Sequence, residues 1–228
     1  MTTLIQMVWG EGKLAPAIAC GLALGILGLA LPAAAATWAT EGGGTEISVS
    51  GGYQFGGSFE DDGAELELEP AANFGLCGSF ARPDQPALHG EGAYSRQRTR
   101  VNLRRSDIEE PEYIFDVDMH YILLGAVYDF PQSRQVIPFA GLYLGAAVAN
   151  PVGDQYDAET FFAFAPVGGL KAYFTPTFGL RAQTRLLAPI SLESGSIFCT
   201  NGACAVAISA GSVLWQGDVS IGALFHFF

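Results

Sequence analysis

Over residues 46–60 the chain reads EISVSGGYQFGGSFE. Ile47, Val49, Tyr53, Phe55 and Phe59 fall on odd positions, and Glu46, Ser48, Ser50, Gln54, Ser58 and Glu60 on even ones. Successive strand side chains point to opposite faces, so this pattern predicts a strand with one apolar and one wet face. The alternation returns over residues 64–80, where Leu66, Leu68, Phe74, Leu76 and Phe80 oppose Glu65, Glu67, Glu69, Asn73 and Ser79. In residues 90–103, Tyr94, Arg96, Arg98 and Arg100 oppose Glu91, Ser95, Gln97 and Thr99. A fourth strand, 113–130, sets Tyr113, Phe115, Val117, Met119, Tyr121, Leu123 and Val127 against Asp116, Asp118 and His120. Its last third is apolar on both faces, and the fifth strand, 137–149, is apolar throughout.

Three more strands complete the set. In 161–174, Phe162, Phe164, Pro166, Leu170 and Phe174 oppose Lys171. In 178–191, Phe178, Leu180, Ala182, Leu186 and Ile190 oppose Arg181, Gln183 and Arg185. In 209–228, Val213, Trp215, Val219, Ile221, Phe225 and Phe227 oppose Ser212, Gln216, Asp218, Ser220 and His226. Eight strands joined in order alternate their connections between two ends. The connections at 60–63, 104–112, 150–160 and 192–207 share one end, and 81–88, 131–135 and 175–177 share the other. Apart from 60–63, the first set is long and polar. Long loops at one end and short turns at the other are the layout of an outer-membrane barrel with its termini in the periplasm.

The N-terminal stretch changes the picture from a soluble barrel to an exported one. Residues 14–31 (LAPAIACGLALGILGLAL) are uncharged and apolar, follow Lys13, and lead into PAAAATWA. That order of charge, apolar run and small residues predicts a secretory signal peptide, cleaved after Ala36 or after Ala39. A retained inner-membrane anchor is the competing expectation, since about twenty apolar residues can span a bilayer. The expected organisation is a signal peptide at 1–36, a short linker at 37–44 and a barrel at 45–228. A lipocalin-type soluble barrel would show the same alternation with the faces exchanged. The signal layout, the scarcity of lysine (only Lys13 and Lys171) and the aromatic ending VSIGALFHFF favour the membrane form. A formal net charge of -12 argues against a nucleic-acid partner.

Several stretches together resemble small proteobacterial outer-membrane β-barrels of the OmpA/OmpX type and the OmpW-like group. They are GGYQFGGSFEDDGAELEL, VDMHYILLGAVYDF with its following Pro-Phe strand start, GLRAQTR, FCTNGACAV and LWQGDVSIGALFHFF. The resemblance implies an all-β, eight-stranded antiparallel up-and-down transmembrane β-barrel integral to the outer membrane, and supplies no substrate. It implies that Phe225, Phe227 and Phe228 serve as the signal for the barrel assembly machinery, although Phe228 lies one residue past the phase of the other two.

An eight-stranded barrel has room inside only for side chains. With apolar faces outward, Glu65, Glu67, Glu69, Glu91, Asp116 and Asp118 are expected to face Lys171, Arg181 and Arg185 in the lumen. Isolated buried charge costs several kcal/mol, on that order, so these groups must pair. They form either a fixed ion-pair plug or a gate that opens by re-pairing. Arg96, Arg98, Arg100, Arg104 and Arg105 form the one basic cluster. Their expected role is contact with lipid phosphate, lipopolysaccharide included, or else pairing with Asp107, Glu109 and Glu110 in a solvated loop. Cys199 and Cys204 lie in an outward loop made in an oxidising compartment and are expected to form a disulfide. Cys77 is expected to be a small buried thiol. No Ser-His-acid order or metal-ligand spacing emerges around His89, His120 or His226, so no cofactor or metal is expected. The expected function is a monomeric, non-enzymatic barrel of structural or envelope-integrity role. A narrow channel for small or apolar solutes is the first alternative, and a lipid A-modifying enzyme the second.

Overall fold

A computed structural model describes residues 44–61, 64–105, 111–130, 135–153, 156–192, 195–200, 203–208 and 212–227. The expected signal peptide and most of the linker lie outside the described residues. Among the described residues no helix is long and apolar enough to cross a membrane. The strand segments are β1 (Gly44–Phe55), β2 (Ser58–Asp61), β3 (Ala64–Leu68), β4 (Ala71–Arg82), β5 (Gln85–Arg105), β6 (Glu112–Asp129), β7 (Val136–Pro151), β8 (Glu159–Tyr173), β9 (Phe178–Ile190), β10 (Gly195–Thr200), β11 (Ala203–Ile208) and β12 (Gln216–Phe227).

All pairings are antiparallel, and β1–β12 together with β5–β6 closes the sheet into a barrel. The wall has eight staves, because β2 extends β1 and β3 precedes β4 along single strands. The first stave breaks at Gly56 and Gly57. A Cβ on Gly56 would lie 1.7 Å from the Leu68 carbonyl oxygen, and one on Gly57 2.3 Å from that of Trp215. The second stave breaks at Glu69 and Pro70, where proline cannot donate to a ladder. The expected turn at 81–88 contracts to Pro83 and Asp84, with β4 and β5 running up to either side. Much of the expected loop at 192–207 is the separate hairpin β10–β11, whose register sets Cys199 opposite Cys204.

Stepping across the pairing from Thr160 leads through Val148, His120, Arg96, Phe74, Gly51, Ile221 and Ala182 back to β8 at Leu170. A stagger of ten residues (160 to 170) over eight staves tilts the strands by roughly 40° from the barrel axis. At that tilt the outward apolar run from Trp215 to Phe225 is roughly 26 Å tall. This belt ends in aromatic rims. Phe80, Tyr128, Phe130, Phe174, Phe178, Phe225 and Phe227 are exposed toward the base, and Tyr53, Phe55 and Trp215 toward the mouth.

The barrel has two storeys of opposite chemistry. From the base to mid-height the outside is apolar and the inside polar. On the β3, β5 and β6 side the belt ends lower, at Tyr94 and His120, and above that edge the pattern inverts. Leu68, Val101, Leu103, Phe115, Val117 and Met119 are buried within, while Arg96, Arg98, Arg100 and Arg104 project outward. This corrects two expectations. The apolar face of the fourth strand points inward: Phe115, Val117, Met119, Tyr121, Leu123 and Val127 are all buried. Glu67, Glu69, Asp116 and Asp118 stand outside, where they meet the arginines of β5. The reason is solvation. Where the wall rises past the belt, charged groups outside meet water and apolar groups fill the interior, as in a soluble barrel.

Candidate functional site

The inward positions of the lower storey build a polar network of four stacked clusters. At its base Lys171 of β8 reaches across the lumen. Its Nζ donates to Glu46 Oε2 on β1 at 2.8 Å and to Asp129 Oδ2 on β6 at 3.0 Å. Ser79 Oγ donates to Glu46 at 3.2 Å, and the Tyr173 hydroxyl donates to the same carboxylate. His89 Nε2 lies 3.2 Å from Asp129 Oδ2. Ligand atoms of Glu46, His89 and Asp129 fall within 4.8 Å of one another, a spacing that could gather a metal ion. The Lys171 ammonium, bonded to two of the three, already supplies positive charge there.

One level up, Arg181 of β9 engages Glu91 of β5 with both ends of its fork, each contact 2.9 Å. The Tyr143 hydroxyl donates to Glu91 and accepts from Arg181 Nη2 at 3.2 Å. The guanidinium also lies over the Phe139 ring, 4.4 Å from its centroid. A planar fork matched to a carboxylate and stacked on a ring is a role lysine cannot fill. Cys77, free and buried, places its Sγ 3.6 Å from Glu91 Oε2. Above this pair Arg185 Nε donates to Asp218 Oδ1 at 2.9 Å, and Asn73 donates to the other carboxylate oxygen. A layer of three glutamines and a tyrosine lies above: Gln54 donates to Gln216 at 3.0 Å, Tyr121 donates to Gln216, and Gln97 donates to the Gln54 main-chain carbonyl at 3.2 Å. The apolar layer of the upper storey caps it.

Charges this deep persist because each has a partner of opposite sign. Removing one member of such a pair costs about 3–5 kcal/mol. Lys171 and Asp218 are both 0% exposed, so the interior at these levels is filled by side chains.

Of the expected lumen residues, the structure brings Glu91, Lys171, Arg181 and Arg185 into this network. Glu67, Glu69, Asp116 and Asp118 belong to the outer column, and the side chain of Glu65 lies outside the described residues. The residues missed are Glu46, Asp129 and Asp218, which join Glu91 as carboxylates of the network. Glu46 and Asp218 already stood on the polar faces of their strands. Asp129 sat at the end of a stretch apolar on both faces and carried no phase signal.

The outer column runs up β5. Arg96 Nη2 and Nε contact Asp118 at 2.8 and 3.3 Å. Arg98 lies 3.6 Å from Asp116, Arg100 3.9 Å from Glu69, and Arg104 3.8 Å from Glu67. Just below, the Tyr94 hydroxyl and His120 Nδ1 are 2.9 Å apart. The side chain of Arg105 and the residues Asp107, Glu109 and Glu110 lie outside the described residues, as do the side chains of Cys199 and Cys204 and all of Phe228.

No family model and no curated protein matches the chain. Solved structures do. Neisserial surface protein A (NspA) is similar over 82% of this chain and 100% of its own, at 17% identity and a TM-score of 0.56. The outer membrane protein OprG from Pseudomonas aeruginosa is similar over 83% of this chain and 100% of its own, at 11% identity and a TM-score of 0.58. The outer membrane protein AlkL, solved in DMPC lipid bilayers, is similar over 86% of this chain and 95% of its own, at 13% identity and a TM-score of 0.50. At such identities the likeness speaks to fold. A closed, eight-staved antiparallel wall is what this chain and those proteins share: it has the fold of the small outer-membrane β-barrels.

Proposed function

We propose that the chain is exported and inserts in the outer membrane as a sealed barrel. Its role is structural, holding the envelope and presenting its mouth outward, without catalysis or solute passage. The observation that carries this is the filled lumen, where Lys171 and Arg181 reach across the interior to Glu46, Asp129 and Glu91, and Arg185 pairs with Asp218 on the neighbouring strand, beneath an apolar cap. The belt supports the location, because along β12 its height matches the roughly 25 Å apolar band of such barrels and its rims are aromatic. Phe225 and Phe227, outward on the final strand, are placed to serve assembly.

The test is conductance. Folded protein in a planar bilayer should show no unitary current, and the double variant R181Q/R185Q should also remain closed because the apolar cap lies above both arginines. Currents in the parent protein would overturn the sealed-barrel proposal in favour of a narrow channel. Currents only in the double variant would turn the plug into a gate.

A further inference from the structure

The outward face of β5 changes character along its length in the order that a membrane lipid does. From base to mouth it reads Leu88, Gly90, Gly92, Tyr94, Arg96, Arg98, Arg100, Asn102 and Arg104. Gly92 pairs with Gly78 on one side and Leu124 on the other, and Gly90 pairs with Phe80 and Ala126. The backbone does not demand these glycines. Their φ angles are not positive, and a Cβ would meet nothing within 4 Å at Gly78, Phe80 O at 4.0 Å for Gly90, and Leu124 Cδ2 at 3.5 Å for Gly92. Other open glycines, Gly51 and Gly168, stand singly. Here three glycines and Ala126 leave a bare patch about 10 Å across, two inter-strand spacings. Leu76, Phe80, Leu88 and Leu124 border it, and Leu124 is 71% exposed.

Directly above the patch, Tyr94 and His120 mark the upper edge of the belt, and the arginines rise in steps of roughly 6.7 Å along the strand. Arg96 is held by Asp118 at hydrogen-bond distance. Arg98, Arg100 and Arg104 sit 3.6–3.9 Å from their carboxylates, beyond hydrogen-bond length. Their planar forks can turn to a phosphate and grip it with two hydrogen bonds. Four arginines against four carboxylates give the column no net charge. Capture must then come from short-range hydrogen bonds combined with a chain seated on the patch, not from long-range attraction.

We propose that β5, flanked by β3, β4 and β6, is a binding site for a phosphorylated glycolipid of the outer leaflet. One acyl chain lies on the Gly78–Gly90–Gly92 patch, and phosphates on the sugar headgroup meet Arg98 and Arg100. Arginines at successive heights from Arg96 to Arg104 fit a headgroup that carries phosphates at more than one level better than a glycerophospholipid with a single phosphate. This rests on the proposed membrane location.

The experiment is native mass spectrometry of the folded barrel released from detergent micelles with added lipid. The probes are diphosphoryl lipid A, fully dephosphorylated lipid A and phosphatidylglycerol. The parent should retain diphosphoryl lipid A over the other two. R98Q/R100Q should lose that retention by roughly tenfold or more, the loss expected for charge-assisted hydrogen bonds. G92L, which fills the patch at ordinary contact distance from Leu124, should weaken both forms of lipid A. R82Q, at the opposite rim and paired with Asp84, should change nothing. Equal retention by R98Q/R100Q and the parent would overturn the proposal, and so would equal retention of phosphatidylglycerol. Each sample is also run unboiled and boiled on a gel. A parent with no mobility difference would count against the membrane-barrel reading itself, whereas a normal shift without lipid selectivity would sink the lipid site alone.

Discussion

Replacing Lys171 with methionine keeps the shape of the side chain and removes its charge. In the parent the ammonium is fully enclosed and donates to Glu46 at 2.8 Å and to Asp129 at 3.0 Å. In K171M both carboxylates keep their burial and lose their shared cation. Stranding charge in this way costs about 3–5 kcal/mol. Ser79 and Tyr173 still donate to Glu46 and His89 still faces Asp129, so the lower end of that range is expected. The triple variant K171M/E46Q/D129N removes the charges together and should return to within about 1–2 kcal/mol of the parent, because neutral replacement of a whole buried pair is often tolerated. The assay is the folded fraction across a urea series, read from the unboiled gel band and extrapolated linearly. Glu46, His89 and Asp129 would then surround the space left by the ammonium. Zn²⁺ present during refolding of K171M should therefore restore part of the loss, about 2.7 kcal/mol at a hundredfold excess over its Kd. If K171M unfolded at the parent's urea midpoint, the account of the lumen as a charge-braced core would fail. If the triple variant were as weak as K171M, the loss would reflect packing and not stranded charge.

R181K keeps the charge but loses the two-pronged contact with Glu91 and the stacking on Phe139; a loss of about 1–3 kcal/mol is expected in the same urea assay. G56L drives a side chain into the Leu68 carbonyl and should abolish the heat-modifiable folded band, while G78L, in open space, should leave it intact. Cys199 and Cys204 are register partners across the β10–β11 hairpin, so the unfolded, unreduced protein should take up alkylating reagent only at Cys77 among these three. After reduction, mass spectrometry should show all three modified.

How much of the barrel is legible in the sequence depends on what each signal measures. The period of two is a local property, and it reports the eight staves and the faces of β1, β4, β8, β9 and β12 correctly. Lys171, Arg181 and Arg185 are visible because each sits on the polar side of a strand whose other side is greasy. Breaks in the ladder have no counterpart in periodicity. The pauses at Gly56–Gly57 and at Pro70 therefore escape it, although their residue types are the usual ones for a wall that bends. The face of β6 is unreadable for a different reason. Alternation is unchanged when inside and outside are exchanged, and residues 122–127 are apolar on both sides.

What decides between the two orientations is height. Asp116 and Asp118 point outward because the ten-residue stagger carries their part of β6 past the upper edge of the belt, beside the arginines of β5. Lys171, far lower on β8, could not point outward without entering the apolar belt. The same alternating pattern thus has opposite meanings at two levels of one wall, and the level is a property of the register between strands. A variant that shifted the β5–β6 register by two residues would preserve every face and still displace the Arg96–Asp118 pair. Its cost should appear in the outer column, with the lumen pair Arg181–Glu91 disturbed only through β5 and Arg185–Asp218, held on β9 and β12, left in place.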